Sequence, residues 1–236
     1  MGLSEVLVIS TAAGLATTVG GLIATLLPVK NEKCLVFLLG FAGGVMVGLS
    51  LFQLMPEAYF FANSLFSVGF GFTVGILLMA FLAQLTTTKC QSGVSSCENF
   101  RETGLFICLA IALHNFPEGI AVGVGFVSGN DLGFMIAFAM MLHNIPEGIG
   151  IGAPLKKSGL QTWTILLLTT AAGFVTPLGA SIGWWLGNIS MQVLSWAMGL
   201  AAGAMVYVSF TKLFIYGARW NEFGIFCGIL LTFIIA

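Results

Sequence analysis

The sequence predicts an all-α integral membrane protein with eight transmembrane helices. Of its 236 residues, 58% are hydrophobic and only 7% are charged, and the mean hydropathy is +1.04. Because a soluble domain carries about 25% charged residues, this chain cannot build a water-facing surface, and the lipid bilayer is its expected surrounding. The formal net charge of −1 provides no basic surface for phosphates, which excludes a nucleic-acid-binding protein.

Eight apolar stretches follow one another along the chain, and each is close to the roughly 20 residues that a spanning helix requires. We place helices 1 to 8 at residues 3–27, 34–61, 65–87, 103–127, 132–154, 160–187, 190–213 and 219–236. The polar connections are too short to separate domains, so residues 1–236 are expected to form a single transmembrane domain.

The basic residues predict the orientation of these helices. All of them lie at the connections after helices 1, 3, 5 and 7: Lys30, Lys33, Lys89, Arg101, Lys156, Lys157, Lys212 and Arg219. Because Lys and Arg are retained on the cytoplasmic side of a membrane, both termini are predicted to face the outside.

Two parts of the chain match at a constant separation, which we call the repeat offset and which equals the separation of Ala12 from Ala171. At this offset AAGLATTVGGLI at 12–23 matches AAGFVTPLGASI at 171–182, and GFAGGVMVGLS at 40–50 matches GLAAGAMVYVS at 199–209. The repeat offset also aligns Gly69 with Gly228 and Thr73 with Thr232.

Helices 1–3 (3–87) are therefore predicted to repeat as helices 6–8 (160–236), in the opposite direction because five spans separate equivalent helices. Packing alone makes Gly- and Ala-rich membrane helices alike, but the constant offset favours a true inverted repeat. Such repeats build secondary transporters, whose site lies at the repeat interface.

Helices 4 and 5, at 103–154 between the repeats, carry the unusual side chains. Helix 4 contains H-N-F-P-E-G at 114–119, helix 5 contains H-N-I-P-E-G at 143–148, and these motifs hold the only two histidines of the chain. Ionisable side chains inside a membrane are costly and indicate a functional site. His and Glu four residues apart share one helix face, so two facing helices would form a cage. The candidate metal ligands are His114, Asn115, Glu118, His143, Asn144 and Glu147.

Imidazole, carboxylate and amide ligands without a thiolate suit Zn²⁺, Fe²⁺, Mn²⁺ or Co²⁺, and Cd²⁺ also accepts them. Two ionised glutamates neutralise one divalent cation, which a low-dielectric interior tolerates best. The metal is expected as a transported substrate, with no cofactor. One alternative is an intramembrane zinc-dependent hydrolase using the same cage, although H-E-x-x-H is absent. A structural or receptor-like membrane protein is a third interpretation.

The doubled motif resembles the ZIP (Zrt-, Irt-like) family of divalent-metal transporters, in the bacterial branch with H-N-x-P-E-G in both helices. The resemblance covers essentially the whole chain and implies a transporter, not an enzyme, in a bacterial cytoplasmic (inner) membrane. It also implies that the metal moves into the cytoplasm by an elevator-like movement of helices 1, 4, 5 and 6. The six candidate ligands match the family's metal ligands. The Gly- and Ala-rich faces suit packing within one protomer or across a homodimer.

Three further positions bear on this interpretation. Thr176 stands where many relatives have a glutamate that bridges a second metal, so we predict one principal ion and a supporting place for Thr176 beside the ligands. Gln53 and Glu57 lie four residues apart near the outer end of helix 2. They are either an entrance or gate for cations, or simply hydrated residues at a helix end.

Overall fold

The computed structural model describes residues 2–86, 96–186, 191–215 and 219–235. These residues form helices that we number in chain order. They are α1 (Leu3–Leu26), α2 (Glu32–Ala62), α3 (Leu65–Thr86), α4 (Ser96–Ser128), α5 (Asn130–Lys157), α6 (Thr162–Leu186), α7 (Met191–Leu213) and α8 (Arg219–Ile235). In the described part of the chain, seven helices are long and apolar enough to span a membrane, and a shorter apolar helix at Asn221–Ile234 follows them. The eighth crossing stays a prediction.

Two helices are longer than their apolar stretches indicate. The predicted helix 4 starts at 103, whereas α4 begins at Ser96, and the predicted helix 5 covers 132–154, whereas α5 runs from Asn130 to Lys157. Hydropathy predicts where a helix leaves the apolar layer of the membrane. It does not predict where the backbone hydrogen bonds of the helix end, so a helix can extend beyond its apolar stretch. Asp131 in the first turn of α5 and lysines in its last turn also suit the helix dipole. The predicted connections at 88–102 and 188–189 lie partly or wholly outside the described residues.

Three helices depart from regular α geometry in ways that hydropathy does not predict. The α2 helix contains a π-helical turn at Ser50–Leu54, and α7 contains one at Ser209–Leu213. The apolar pattern predicts a continuous helix 6, but α6 is interrupted at Phe174, between segments Thr162–Gly173 and Val175–Leu186. Pro177 has no amide hydrogen and therefore cannot continue the helical backbone hydrogen bonds at this point. Both α4 and α5 continue through their internal prolines, Pro117 and Pro146.

The helices pack in two sets. The first set contains α1, α4, α5 and α6, in which α1 packs on α5, α4 on α6, and α4 on α5. The second set contains two pairs, α2 with α8 and α3 with α7. The sets meet where α4 packs on α7 and α2 packs on α5. The two helices with the H-N-x-P-E-G motifs therefore lie side by side within the first set.

Contacts in the two halves of the chain match in detail. Gly14 and Gly173, which are separated by the repeat offset, lie against each other's carbonyl oxygens. The two π-helical turns begin at Ser50 and Ser209, a pair with the same separation, and each serine hydroxyl donates to the carbonyl four residues earlier.

The match between helices 3 and 8 has a different offset. Gly71 and Gly75 of α3 lie against the carbonyls of Trp196 and Leu200, and Gly224 and Gly228 of α8 lie in the same way against those of Phe37 and Phe41. The separation of these glycine pairs is six residues shorter than the repeat offset. The expected match of Gly69 with Gly228 is therefore wrong by six residues. The reason is that α2 continues to Ala62 after its π-helical turn, whereas α7 ends at its π-helical turn, so the next helix starts relatively later in the first half of the chain. At Gly69, by contrast, an added Cβ would meet no atom of another described helix within 4 Å.

Candidate metal centre

The two motifs face each other across the contact between α4 and α5. All six predicted ligands are buried, with no residue more than 3% exposed. Their helices contact each other directly, and both run uninterrupted through the motif. The two H-N-x-P-E-G motifs, each with His and Glu four residues apart, thus bring two imidazoles and two carboxylates into one buried region.

The ionisable groups pair across the helix interface, each histidine with the glutamate of the other helix. His114 Nε2 lies 3.0 Å from Glu147 Oε1, and His143 Nε2 lies 3.4 Å from Glu118 Oε2. His114 Nδ1 is 3.2 Å from the Ala110 carbonyl oxygen, which makes this nitrogen the donor and leaves Nε2 facing the carboxylate. The crossed pairs join α4 to α5 at two levels.

The two asparagines anchor the motif helices to their outer neighbours. Asn115 Nδ2 donates to the Ala172 carbonyl of α6 at 3.1 Å, and Asn144 Nδ2 donates to the Ala13 carbonyl of α1 at 2.8 Å. These two carbonyls are themselves separated by the repeat offset. Because each amide nitrogen is engaged, the orientation of each asparagine side chain is set. No residue in the described ranges donates a hydrogen bond to either Oδ1 atom.

Glycines let the backbones approach closely at the same level. A Cβ on Gly148 would lie 2.0 Å from the Thr17 carbonyl oxygen, and one on Gly119 would lie 2.2 Å from that of Thr176. The reciprocal positions are as tight, with Gly20 against Ile145 and Gly179 against Phe116. The residue that follows each glutamate of the motif must therefore be small, as expected where membrane helices touch.

A partly open cavity between α2, α4, α5 and α7 reaches the centre from the side of α2. It is lined by Gln53, Leu54, Glu57, Glu118, Ala121, Ile136, Met140, His143 and Met198. Gln53 Nε2 donates to Glu57 Oε1 at 3.3 Å. The structure therefore brings the two predicted entrance residues to the same cavity as Glu118 and His143.

Several atoms of the predicted ligands are buried without a hydrogen-bond partner among the described residues: Asn115 Oδ1, Glu118 Oε1, His143 Nδ1, Asn144 Oδ1 and Glu147 Oε2. Leaving such a group unpaired costs about 1–3 kcal/mol, and more when it is charged. Across residues 2–86, 96–186, 191–215 and 219–235, no three His, Cys, Asp or Glu side chains are arranged to hold a metal ion. In this conformation the imidazoles and carboxylates are used in the crossed pairs, so a metal would have to replace those contacts.

Thr17 is a residue of this region that the motif search missed. It is fully buried, it contacts the position of Gly148, and its hydroxyl has no partner. Thr176, which we expected beside the ligands, has the same burial and the same unpaired hydroxyl. The two threonines are separated by the repeat offset, so that offset alone could have identified Thr17 from Thr176.

The apolar helices and the buried ionic centre define a multi-pass, all-helical integral membrane protein with an intramembrane polar site. Comparison with known proteins gives the family. The model of the family described as "ZIP Zinc transporter" matches residues 86–236. The chain belongs to the ZIP family.

Curated relatives cover nearly the full length. The chain is 34% identical to the zinc transporter ZupT of Akkermansia muciniphila, over 98% of this chain and 96% of that protein. It is 32% identical to the zinc transporter ZupT of Escherichia fergusonii, over 96% and 93% of the two chains. The zinc transporter ZupT of Stenotrophomonas maltophilia is 31% identical over 92% and 87%.

Proposed function

We propose that this protein is a transporter that moves divalent transition-metal ions, with Zn²⁺ as its main substrate, from the outside into the cytoplasm. The observation that carries the proposal is the pair of crossed His–Glu contacts buried between α4 and α5. Family membership and the names of the relatives support zinc as the substrate.

The proposed ligands are His114, Asn115, Glu118, His143, Asn144 and Glu147. Imidazole nitrogen with carboxylate and amide oxygen suits Zn²⁺ and also Fe²⁺, Mn²⁺, Co²⁺ and Cd²⁺, whereas no thiolate is present in this ligand set to favour Cu⁺. The ion separates the crossed pairs and takes their imidazoles and carboxylates as its own ligands.

One ion at a time occupies this centre. Glu118 and Glu147 bring two negative charges, which balance one divalent cation in the membrane interior. Thr176 is neutral where a third carboxylate would be needed, so a second cation would leave about two uncompensated positive charges. Titration is expected to give one tight site per chain.

The ion reaches the centre through the cavity beside α2. Glu57 and Gln53 both line this cavity together with Glu118 and His143. Glu57 is the better candidate for gathering cations at the entrance, because its side chain is a carboxylate and that of Gln53 is a neutral amide. The orientation expected from the basic residues puts this end of α2 outside. The grouping of the basic connections on one side is supported by the hydrogen bond from Lys157 Nζ to the Lys30 carbonyl, 3.1 Å long, because it brings the connections after α1 and α5 to the same end.

The transport movement is a displacement of α1, α4, α5 and α6 relative to α2, α3, α7 and α8. The division of contacts into these two sets supports this movement. The matched glycine contacts of the two halves support an inverted repeat whose halves meet at the centre, the arrangement that secondary transporters use for alternating access.

An intramembrane hydrolase would use the same cage but needs a general base beside the metal. In H-E-x-x-H that base is the residue after the first histidine. Here the corresponding residues are Asn115 and Asn144, and their amide nitrogens are engaged by the carbonyls of Ala172 and Ala13. The site therefore favours transport.

Uptake into proteoliposomes tests the proposal. Vesicles that contain the native protein and a trapped fluorescent zinc chelator are expected to show Zn²⁺ uptake, and the His143→Ala/Glu147→Ala double variant is expected to show none. The variant must elute as a monodisperse, helical protein for the comparison to count. Absence of uptake by the native protein with Zn²⁺, Fe²⁺, Mn²⁺ and Cd²⁺, despite measurable binding, would refute transport and leave a metalloenzyme or sensor.

A further inference from the structure

Two buried threonines, Thr17 in α1 and Thr176 in α6, differ from many other hydroxyl-bearing residues of the membrane helices. Such side chains often bond the carbonyl one turn earlier: Ser10 with Val6, Ser50 with Met46, Thr73 with Gly69, Thr169 with Ile165, Ser181 with Pro177, Ser209 with Met205 and Thr211 with Tyr207. The hydroxyls of Thr17 and Thr176 have no hydrogen-bond partner among the residues that the structure describes, although both residues are 0% exposed.

The reason lies in the asparagines of the metal centre. The carbonyl one turn before Thr17 belongs to Ala13, and it accepts the amide of Asn144 at 2.8 Å. The carbonyl one turn before Thr176 belongs to Ala172, and it accepts the amide of Asn115 at 3.1 Å. Each asparagine therefore takes the acceptor that the threonine of the neighbouring helix would otherwise use.

Both threonines also lie directly against the motif helices. The Thr17 carbonyl oxygen contacts the position of Gly148, the residue after Glu147, and the Thr176 carbonyl oxygen contacts the position of Gly119, the residue after Glu118. Each half of the repeat thus places one threonine, whose hydroxyl is engaged by no described residue, against the helix segment that carries one glutamate and one asparagine of the centre. The oxygens there that lack a partner, Glu118 Oε1, Glu147 Oε2 and the two Asn Oδ1 atoms, are acceptors.

We propose that Thr17 and Thr176 are a matched pair of positioning residues that donate hydrogen bonds to the oxygen ligands of the bound ion, one from each half of the repeat. An outer partner of this kind fixes the direction of a ligand oxygen and strengthens metal binding. The proposal rests on the proposed function, since it assumes that the ion binds at this centre.

The test is Zn²⁺ affinity by equilibrium titration of the purified protein in detergent, with Thr17→Val and Thr176→Val as the main variants. Valine keeps the shape of threonine and removes only the hydroxyl. Each variant is expected to bind Zn²⁺ about tenfold or more weakly, and Thr17→Ser and Thr176→Ser are expected to restore most of the affinity. Thr169→Val is the matched control, because Thr169 is equally buried in α6 but its hydroxyl is used locally.

The thermal midpoint of the metal-free protein separates a positioning role from a structural one. Since valine removes an unpaired buried hydroxyl, the midpoints of Thr17→Val and Thr176→Val are expected to be equal to or above that of the native protein. Ser195→Ala, which removes an unpaired buried hydroxyl from α7, is expected to keep native affinity.

Native affinity in Thr17→Val would overturn the proposal. An equal loss of affinity in the Thr169→Val control would also overturn it, and so would a loss of affinity that comes with a lowered thermal midpoint. A loss confined to Thr176→Val would remove Thr17 from the pair and so refute the matched role. If the native protein itself bound no Zn²⁺, the proposed function would fail instead. It would also fail if the native protein bound Zn²⁺ and His143→Ala/Glu147→Ala bound it equally well, because the ion would then lie outside this centre.

Discussion

The backbones of α1 and α5 approach closely at Gly148, next to the proposed metal centre, and a single methyl group there is expected to disrupt this contact. In Gly148→Ala the new Cβ would lie 2.0 Å from the Thr17 carbonyl oxygen and 2.9 Å from the Gly20 Cα atom. Ordinary contact begins at 3.4 Å, so the two backbones would have to separate until the first of these distances grows from 2.0 Å to 3.4 Å. Both neighbours are backbone atoms, which no rotamer change can move aside.

Two measurable losses follow from that separation. Overpacking of this kind costs about 1–3 kcal/mol of folding free energy, and the thermal midpoint should fall accordingly. The hydrogen bond from Asn144 Nδ2 to the Ala13 oxygen, 2.8 Å long in the native protein, would stretch beyond bonding range. Freed from this anchor, Asn144 loses its orientation, and Zn²⁺ affinity is expected to fall about tenfold, as it does when a ligand's supporting contact is removed.

The assay compares Gly148→Ala with Gly69→Ala by thermal unfolding and by Zn²⁺ titration in the same detergent. Gly69 is also a helical glycine, but among the described residues no atom outside its own helix backbone lies within 4 Å of the position that a Cβ would take there. A Gly→Ala change with free space removes only unfolded-state flexibility and is expected to be neutral or to stabilise by about 0.4–1 kcal/mol. If Gly148→Ala kept both native stability and native affinity, the close α1–α5 contact would not be what positions the centre.

The remaining predictions concern the side chains of the centre and its entrance. Glu118→Gln and Glu147→Gln are each expected to weaken Zn²⁺ binding more than Asn115→Ala does in equilibrium titration, because a glutamine leaves one positive charge of the ion uncompensated in the membrane; equal, small losses from all three would point to a site elsewhere. Glu57→Gln is expected to slow Zn²⁺ uptake at low metal concentration in proteoliposomes while leaving equilibrium affinity within about twofold, because the side chain lines the approach and not the ligand cage. An unchanged uptake rate in Glu57→Gln would show that this carboxylate is only a hydrated residue at the end of a helix.

The sequence was sufficient to place seven of the helices and to bring the two H-N-x-P-E-G motifs to attention, because both depend on local patterns. Apolar length identified seven spanning helices to within a few residues at most ends. The four-residue spacing within H-N-x-P-E-G placed His and Glu on one helix face, and the structure brings the two faces together.

The details that depend on packing between helices could not be predicted in the same way. The spacing of residues along one helix does not predict that His114 pairs with Glu147 and His143 with Glu118. This pairing depends on how α4 and α5 pack against each other. The contacts of α8 match those of α3 at a separation that is six residues shorter than the repeat offset. This difference comes from the part of α2 that follows its π-helical turn and has no counterpart in α7. The free hydroxyl of Thr17 is visible only once Asn144 is seen to occupy the Ala13 carbonyl.

X-ray absorption at the zinc edge of the Zn²⁺-loaded protein tests the central claim most directly, because the chain has only two histidines. A metal held between α4 and α5 must show two imidazole ligands per zinc, which can come only from His114 and His143. We expect a shell of nitrogen and oxygen at about 2.0–2.2 Å with two imidazoles and no sulfur. A zinc–sulfur shell at about 2.3 Å, or fewer than two imidazoles per zinc, would contradict the proposed centre.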